Sequence, residues 1–399
     1  MGRAGPWDIG FLSMQTAKAE GVPSENFGVL RIRRRVFNPY SYVGGMLTSR
    51  IGMDGRYNVA YGLDGIFRIS GDDYITLNWA QTFEDDAKIT FLSLDPAKFR
   101  VNWERRTLKG IGYTLSLSRA GKDYNPGLGF EMREDYLRVG TRLFYAWIPS
   151  DRSFLRLHQV FSDGFVFLKN SDSLVESAEW GPGWRFETNS GYAGFLQPKI
   201  YRERLEEIFE LAEGVDVPPG DYTFYGVEGN LITPMGRTLS LMPNFKIGSF
   251  YDGWRVSAGT FAFLNLSATW QLSGFYEWNR IAFPRRSQDF AAHIARVKIL
   301  ATFTTKLSLS AFIQYSGRDE AVVANVQPPG GQRPLSRVQP RDQHEQIPRD
   351  SSPAAHRQPG PHDQIHLHLP CQVKRRLREE NISARRERKR NGRRLEGRL

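Results

Sequence analysis

The chain has 399 residues, of which 13% are aromatic, with 38 glycines and one cysteine. No run of about 18 apolar residues occurs, so no transmembrane helix is encoded, and the lone Cys371 excludes an internal disulfide framework. The formal charge of +11 is uneven: residues 327–399 hold 17 Lys+Arg against 8 Asp+Glu, leaving 37 against 35 in the body. The basic balance therefore says nothing about what the body binds.

In chain order, "MGRAGPWDIG" (1–10) lacks the basic-then-apolar pattern of a secretory leader. "GRYNVAYGLDGIFRI" (55–69) is the first long two-faced strand. Tyr57, Val59, Tyr61, Leu63, Phe67 and Ile69 alternate with Asn58, Ala60, Gly62, Asp64 and Arg68. After the turn at 70–73, Ile75, Leu77, Trp79 and Phe83 continue the alternation. At 109–118 Ile111, Tyr113, Leu115 and Leu117 alternate with glycines, threonine and serines. "RAGKDYNPG" (119–127) is a turn, and "NPGLGF" (125–130) a tight one, with Gly127 and Gly129 permitting positive φ.

At 137–147 Leu137, Val139, Leu143, Tyr145 and Trp147 oppose Arg138, Gly140 and Arg142. "YRERLEEIFEL" (201–211) has apolar residues at helical spacing, but a turn and strand follow it, so it reads as β. At 267–279 Trp270, Leu272, Tyr276 and Trp278 oppose Ser273, Glu277 and Asn279. Leu307, Leu309, Ala311, Ile313 and Tyr315 make the last clear strand. Repeated period-two alternation with turns between predicts an all-β chain, roughly 14–17 antiparallel strands, many longer than the usual ~5–6 residues.

From residue 327 the text changes. It is rich in Arg, Pro, His and Gln, with no Phe, Trp or Tyr and five of the seven histidines. It cannot bury enough apolar area to offset its ordering entropy, which predicts disorder. Three readings account for it: out-of-frame text (favoured), a natural basic tail, or a polyanion- or metal-binding tail. "RRERKRNGRR" (385–394) suits non-specific polyanion contact. His356, His362, His366, His368 and Cys371 are metal-ligating types without the paired short spacing of a structural zinc site.

The apolar face of the body fits lipid better than a protein core. The other face is Gly-, Ser-, Thr- and Asn-rich, and Tyr57, Trp147 and Trp278 stand near run ends like an aromatic girdle. Strands of this length span a bilayer when tilted, and a sheet in lipid has to close. This predicts a large antiparallel transmembrane β-barrel over 1–326, possible incompleteness included, with Tyr57–Ile69 toward lipid and Asn58–Arg68 toward a wet lumen. A soluble β-sandwich, propeller or solenoid is the competitor; no 40–50-residue repeat marks a propeller.

Three stretches carry a family resemblance: "GPWDIGFLSMQTAKAEGVPSENFGVLRIRRRV" (5–36), "DYNPGLGFEMREDYLRVG" (123–140) and "GVDVPPGDYTF" (214–224). Together they resemble the bacterial outer-membrane β-barrel domain of unknown function that follows a family-9-type carbohydrate-binding module, over residues 5–326. The resemblance implies a Gram-negative outer-membrane location, outer-membrane lipid as partner, and carbohydrate contact through a module preceding the barrel. It also implies a signal peptide upstream and further strands beyond residues 325–326, so the text reads as a fragment. It brings no catalytic motif.

The lumen-lining candidates are Asp64, Arg68, Arg138, Arg142, Glu277, Arg280 and Arg296. A glycosidase would need two facing carboxyl groups, for which Asp64 and Glu277 qualify by position only; pairing with the arginines is the commoner role. "DD" at 72–73 and 85–86 could meet calcium, but without further ligands. His158 and His293 have no Cys or Asp constellation about them, and "GLDG" and "GVEGN" lack the strand–loop–helix context of nucleotide binding. Trp180, Trp184 and Trp254 suit sugar stacking or girdle packing, the latter being commoner. No cofactor, no metal and no specific nucleic acid is expected. The function expected is anchor or conduit for a secreted carbohydrate- or polymer-handling system. The alternatives are a glycan hydrolase with lumen or loop carboxylates, and a soluble sugar-binding β protein.

Overall fold

The computed structural model describes residues 2–19, 23–85, 93–150, 152–304, 307–317 and 321–327. Strands follow one another: β1 (Gly2–Ala4), β2 (Trp7–Gln15), β3 (Glu25–Arg35), β4 (Tyr42–Gly52), β5 (Tyr57–Ser70), β6 (Asp73–Glu84), β7 (Ala97–Arg105), β8 (Gly110–Ala120), β9 (Tyr136–Trp147), β10 (Leu155–Lys169) and β11 (Val175–Thr188). Then come β12 (Ala193–Leu205), β13 (Phe209–Ala212), β14 (Val215–Val217), β15 (Gly220–Ile232), β16 (Leu239–Phe250), β17 (Gly253–Asn265), β18 (Trp270–Phe283), β19 (Gln288–Thr302), β20 (Ser308–Ser316) and β21 (Ala321–Gln327). One 3-10 turn, Pro284–Arg286, is the only helical element among the described residues.

The all-β expectation holds, with more strands than the sequence suggested: nineteen form one sheet and β13–β14 a separate hairpin. Each sheet strand pairs antiparallel with its sequence neighbour, and β12 pairs with β15 past the hairpin. Among the described residues no ladder joins β1 or β2 to β20 or β21, so the sheet is an unbroken meander without a closing pair. The ambiguous stretch at 201–211 is β, split between β12 and β13. Gln327, assigned to the tail by composition, ends β21; the tail expectations for 328–399, including His356, His362, His366, His368 and Cys371, lie outside the described residues. So does Asp86.

Register carries two faces across the whole sheet. One contains Leu63, Leu77, Val101, Leu117, Val139, Val160, Leu196, Val227 and Ile247, all well exposed. Its aromatics gather toward the strand ends. Trp103 meets Tyr113 at 5.3 Å, Trp147 stacks on His158 at 4.9 Å, and Trp184 stacks on Phe186 at 4.9 Å, all at one end. Tyr61 stacks on Phe83 at 5.5 Å toward the other. The opposite face holds the buried polar residues Thr82, Asn102, Ser118, Gln159, Gln197, Lys199 and Glu228. The order of a soluble sheet is inverted: apolar side chains outside, polar ones sheltered.

The shelter comes partly from two connections at one end of the strands. The three longest links, residues 85–96, 121–135 and 206–219, all lie at that end. Residues 121–135 fold back over the polar face: Asn58 Nδ2 donates to the Asn125 carbonyl at 2.8 Å and its Oδ1 accepts from Gly127 N at 2.8 Å. Arg133 Nη1 donates to Ser177 Oγ at 2.6 Å. Pro126 and Gly129 close the expected tight turn at 3.1 Å. Gly127 and Gly129 do not have positive φ; Gly127 is there because a Cβ would stand 2.7 Å from Asn58 Oδ1.

The β13–β14 hairpin also folds over the polar face. Phe209, Leu211, Val215 and Val217 pack on Tyr201, Phe224, Phe250, Tyr251, Ile281 and Phe283 in an apolar cluster of buried residues. Tyr251 holds a left-handed φ of 52°, costly for a bulky residue, and rings on several sides pin it, Phe250 at 4.7 Å and Tyr222 at 5.1 Å. Arg286 ties the hairpin down, donating to the Asp216 carbonyl and reaching Asp252 Oδ1 at 2.8 Å.

Candidate functional site

The polar face is where chemistry-bearing side chains converge. Cα register runs Asp64–Asn78–Arg100–Ser118–Arg138 across β5 to β9, and Arg142–Asp163–Gly181 across β9 to β11. Asp64, Arg68, Arg138, Arg142, Glu277 and Arg296 all belong to it. Arg280 does not. It is paired by register with Val256 and Ala291 on the apolar face, where it binds Asp289 at 2.7 Å and lies 5.5 Å from the Trp254 ring. The alternation seen at 267–279 already gave even numbers to the apolar side, so parity decides against Arg280.

The remaining candidates have partners other than those expected. Asp64 is held by two bonds from Arg31, Nη2 to Oδ2 being 2.7 Å. Arg31 reaches it from β3 across β4, and Gly44 clears the way: a Cβ there would stand 2.9 Å from Arg31 Nη2. Glu277 accepts a bond from Asn279 Nδ2 at 2.7 Å. Asp64 on β5 and Glu277 on β18 are thus each engaged by a different side chain of the polar face. Arg68 bonds the Gly71 carbonyl and covers the Tyr40 ring at 4.4 Å. Arg142 stands 3.8 Å from Asp163 and 5.0 Å from the Phe161 ring. Arg296 lies 5.4 Å from the Phe275 ring with its Nε buried and unbonded.

The densest network was not singled out by sequence. Lys199 on β12, its side chain 5% exposed, lies between Glu179 Oε1 at 3.2 Å and Glu228 Oε1 at 2.8 Å. Glu228 Oε2 stands 3.6 Å from Lys246 Nζ, which lies 4.6 Å from the Tyr201 ring. Gln197 Nε2 donates to Asp163 Oδ1 and to the Gly181 carbonyl, the latter at 3.1 Å. Glycines again make room: a Cβ on Gly181 would meet Lys199 Cγ at 2.8 Å. The signal was present in "GVEGN", where Glu228 stands two positions after Gly226 and one before Gly229, and in the alternation of Gln197, Lys199 and Tyr201. Such a face can hold water and charge, and it can bind polar solutes through many weak contacts.

Other candidates disperse. His158 stacks on Trp147, and His293 Nδ1 meets Tyr276 OH at 2.8 Å, both on the apolar face. Trp180, Trp184 and Trp254 lie on that face too, within strands and not in loops. Asp73 is bound by Arg105 at 2.8 Å, and Asp85 accepts from Tyr57 N at 2.7 Å. Among the described residues no group of three or more His, Cys, Asp or Glu is placed to hold a metal ion, and no helix is long and apolar enough to cross a membrane. In comparison with known proteins, no family model matches the chain and no curated protein matches it.

Proposed function

We propose that the chain is an outer-membrane-type β-barrel protein, apolar face toward lipid and polar face toward a wet interior. It would serve as anchor or conduit for a system handling carbohydrate or another polymer outside the cell. The observation that carries this reading is the exposed apolar face. Soluble monomers rarely expose contiguous apolar patches beyond a few hundred Å². Here Leu63 is 63% exposed, Ile111 56%, Leu143 58% and Tyr225 60%, on strands spread across the sheet. Aromatics near both strand ends and long connections at one end only support the same reading. The long-connection end would face outward. In lipid the outer strands must find partners, and among the described residues β21 and residues 10–15 of β2 each have one edge without a ladder.

The test is electrophoretic. The chain refolded in detergent should migrate faster unheated than boiled and resist protease in the unheated form. A chain that folds as a monomer in detergent-free buffer, with no heat-dependent shift, rejects the reading.

A further inference from the structure

We propose that the polar face carries a binding subsite for an acidic sugar unit, built from Arg100 and Asn102 on β7, Ser116 and Ser118 on β8, and Arg138 on β9. It deepens the reading given above and rests on the polar face being open to solute.

Several basic side chains of this face have acids beside them: Arg31 has Asp64, Arg33 has Asp8, Arg142 has Asp163 and Lys98 has Glu131. Arg100 and Arg138 have none within ion-pair distance. Arg138 donates only to Ser116 Oγ at 3.2 Å, with the Phe165 and Phe167 rings at 4.9 and 5.6 Å. Arg100 and Arg138 share one row, with Ser118 between them. Their Cα atoms are thus two strand spacings apart, about 9–10 Å, a span two arginine side chains bridge around one oxyanion. The Arg138 guanidinium lies over Gly140, whose Cβ would stand 2.7 Å from Nη1. That brings it into the neighbouring row, Asn102–Ser116–Gly140.

Asn102 decides the class of ligand. It is 7% exposed and its Oδ1 is buried without a hydrogen-bond partner. A buried amide oxygen needs a donor. A bare oxyanion brings acceptors only. A carboxylate on a hydroxylated ring brings both: the carboxylate for Arg100 and Arg138, where charge-assisted bonds are strongest, and an O–H for Asn102.

The test uses the full chain, folded in detergent and shown to be heat-modifiable, with a galacturonic acid tetrasaccharide as probe in titration calorimetry. Maltotetraose and inorganic sulfate serve as comparisons. The acidic tetrasaccharide should bind and maltotetraose should not. Arg100→Gln and Arg138→Gln should each weaken binding about tenfold or more, and Arg34→Gln on the apolar face should leave it unchanged. Asn102→Ala should weaken the tetrasaccharide and leave sulfate unaffected. Absence of binding, indifference to both arginine variants, or equal binding of maltotetraose overturns the proposal. Indifference to Asn102→Ala reduces it to an anion patch and overturns the sugar assignment. Each of these, on a heat-modifiable chain, leaves the membrane reading standing.

Discussion

Arg31 grips Asp64 from two strands away, Nη2 to Oδ2 at 2.7 Å, passing over a strand that offers only a glycine at the crossing. Both side chains are partly sheltered, 31% and 17% exposed, so the pair is worth more than a surface bridge and less than a buried one. Asp64→Asn should lower the unfolding midpoint in detergent-solubilised urea titrations by an amount equivalent to about 1–3 kcal/mol. Arg31→Gln should do the same, and a double-mutant cycle should return a coupling of similar size. A coupling near zero would mean that the two groups do not act together.

The fold class was legible because period-two alternation survives almost everywhere the sheet runs. The alternating stretch at 55–69 falls almost wholly within β5, Tyr57–Ser70, with Asp64 and Arg68 on its polar face. Partners across strands were not legible, since register depends on turn lengths that a single sequence leaves open. The sequence offers Arg68, Arg138, Arg142, Arg280 and Arg296 to Asp64, whereas Arg31, 33 residues earlier, is its partner. Lys199 was overlooked because its strand abuts the helix-like "YRERLEEIFEL", which blurred the parity. Arg280 stands late in an apolar run, where charge alone suggests the polar face, but its parity puts it on the apolar one and Asp289 neutralises it there.

Lys199 holds two carboxylates together. Lys199→Met should leave Glu179 without its cation and take the nearer cation from Glu228, costing about 3–5 kcal/mol. Adding Glu228→Gln should recover a large part. Urea midpoints of the single and double variants check this; a double variant less stable than the single would contradict the arrangement.

Gly121 opens the segment that folds over the polar face. A Cβ there would collide with the carbonyl oxygens of Leu94 and Asp95, backbone atoms that cannot turn aside. Gly121→Ala should loosen residues 121–135 and speed tryptic cleavage after Lys122, while the rest of the sheet stays resistant. The cost should be about 1–3 kcal/mol.

Burial pushes the Tyr251 phenol well above the ordinary tyrosine range. The folded chain therefore keeps this proton at pH values where the unfolded chain, near pH 10, releases it. Its contribution is whole below about pH 10 and falls as pH rises beyond. Tyr251→Phe should flatten part of the alkaline loss of stability, measured as midpoint against pH from 8 to 11.

Leu143 stands mid-strand on the apolar face and is 58% exposed. In lipid, Leu143→Arg should cost about 2–4 kcal/mol and reduce the heat-modifiable fraction. In water the same change at an exposed position would be nearly neutral. The two media give opposite outcomes, so this one variant separates the membrane reading from a soluble sheet.

The β13–β14 hairpin has a consequence for the order of assembly. Apart from β12–β15, which skips the hairpin, every ladder of the meander joins sequence neighbours, so the sheet can zip up strand by strand with short loop closures. The hairpin cannot finish on that schedule. Its clasp is Arg286, 70 residues beyond Asp216, with Gln288 reinforcing it at 2.8 Å. Its apolar side also waits for Phe250, Ile281 and Phe283. Residues 209–217 must therefore remain undocked while β15 to β18 are added, and they lock only when the β18–β19 turn arrives. In pulse-labelling hydrogen exchange these amides should gain protection after those of β12 and β15, although they precede β15 in the chain.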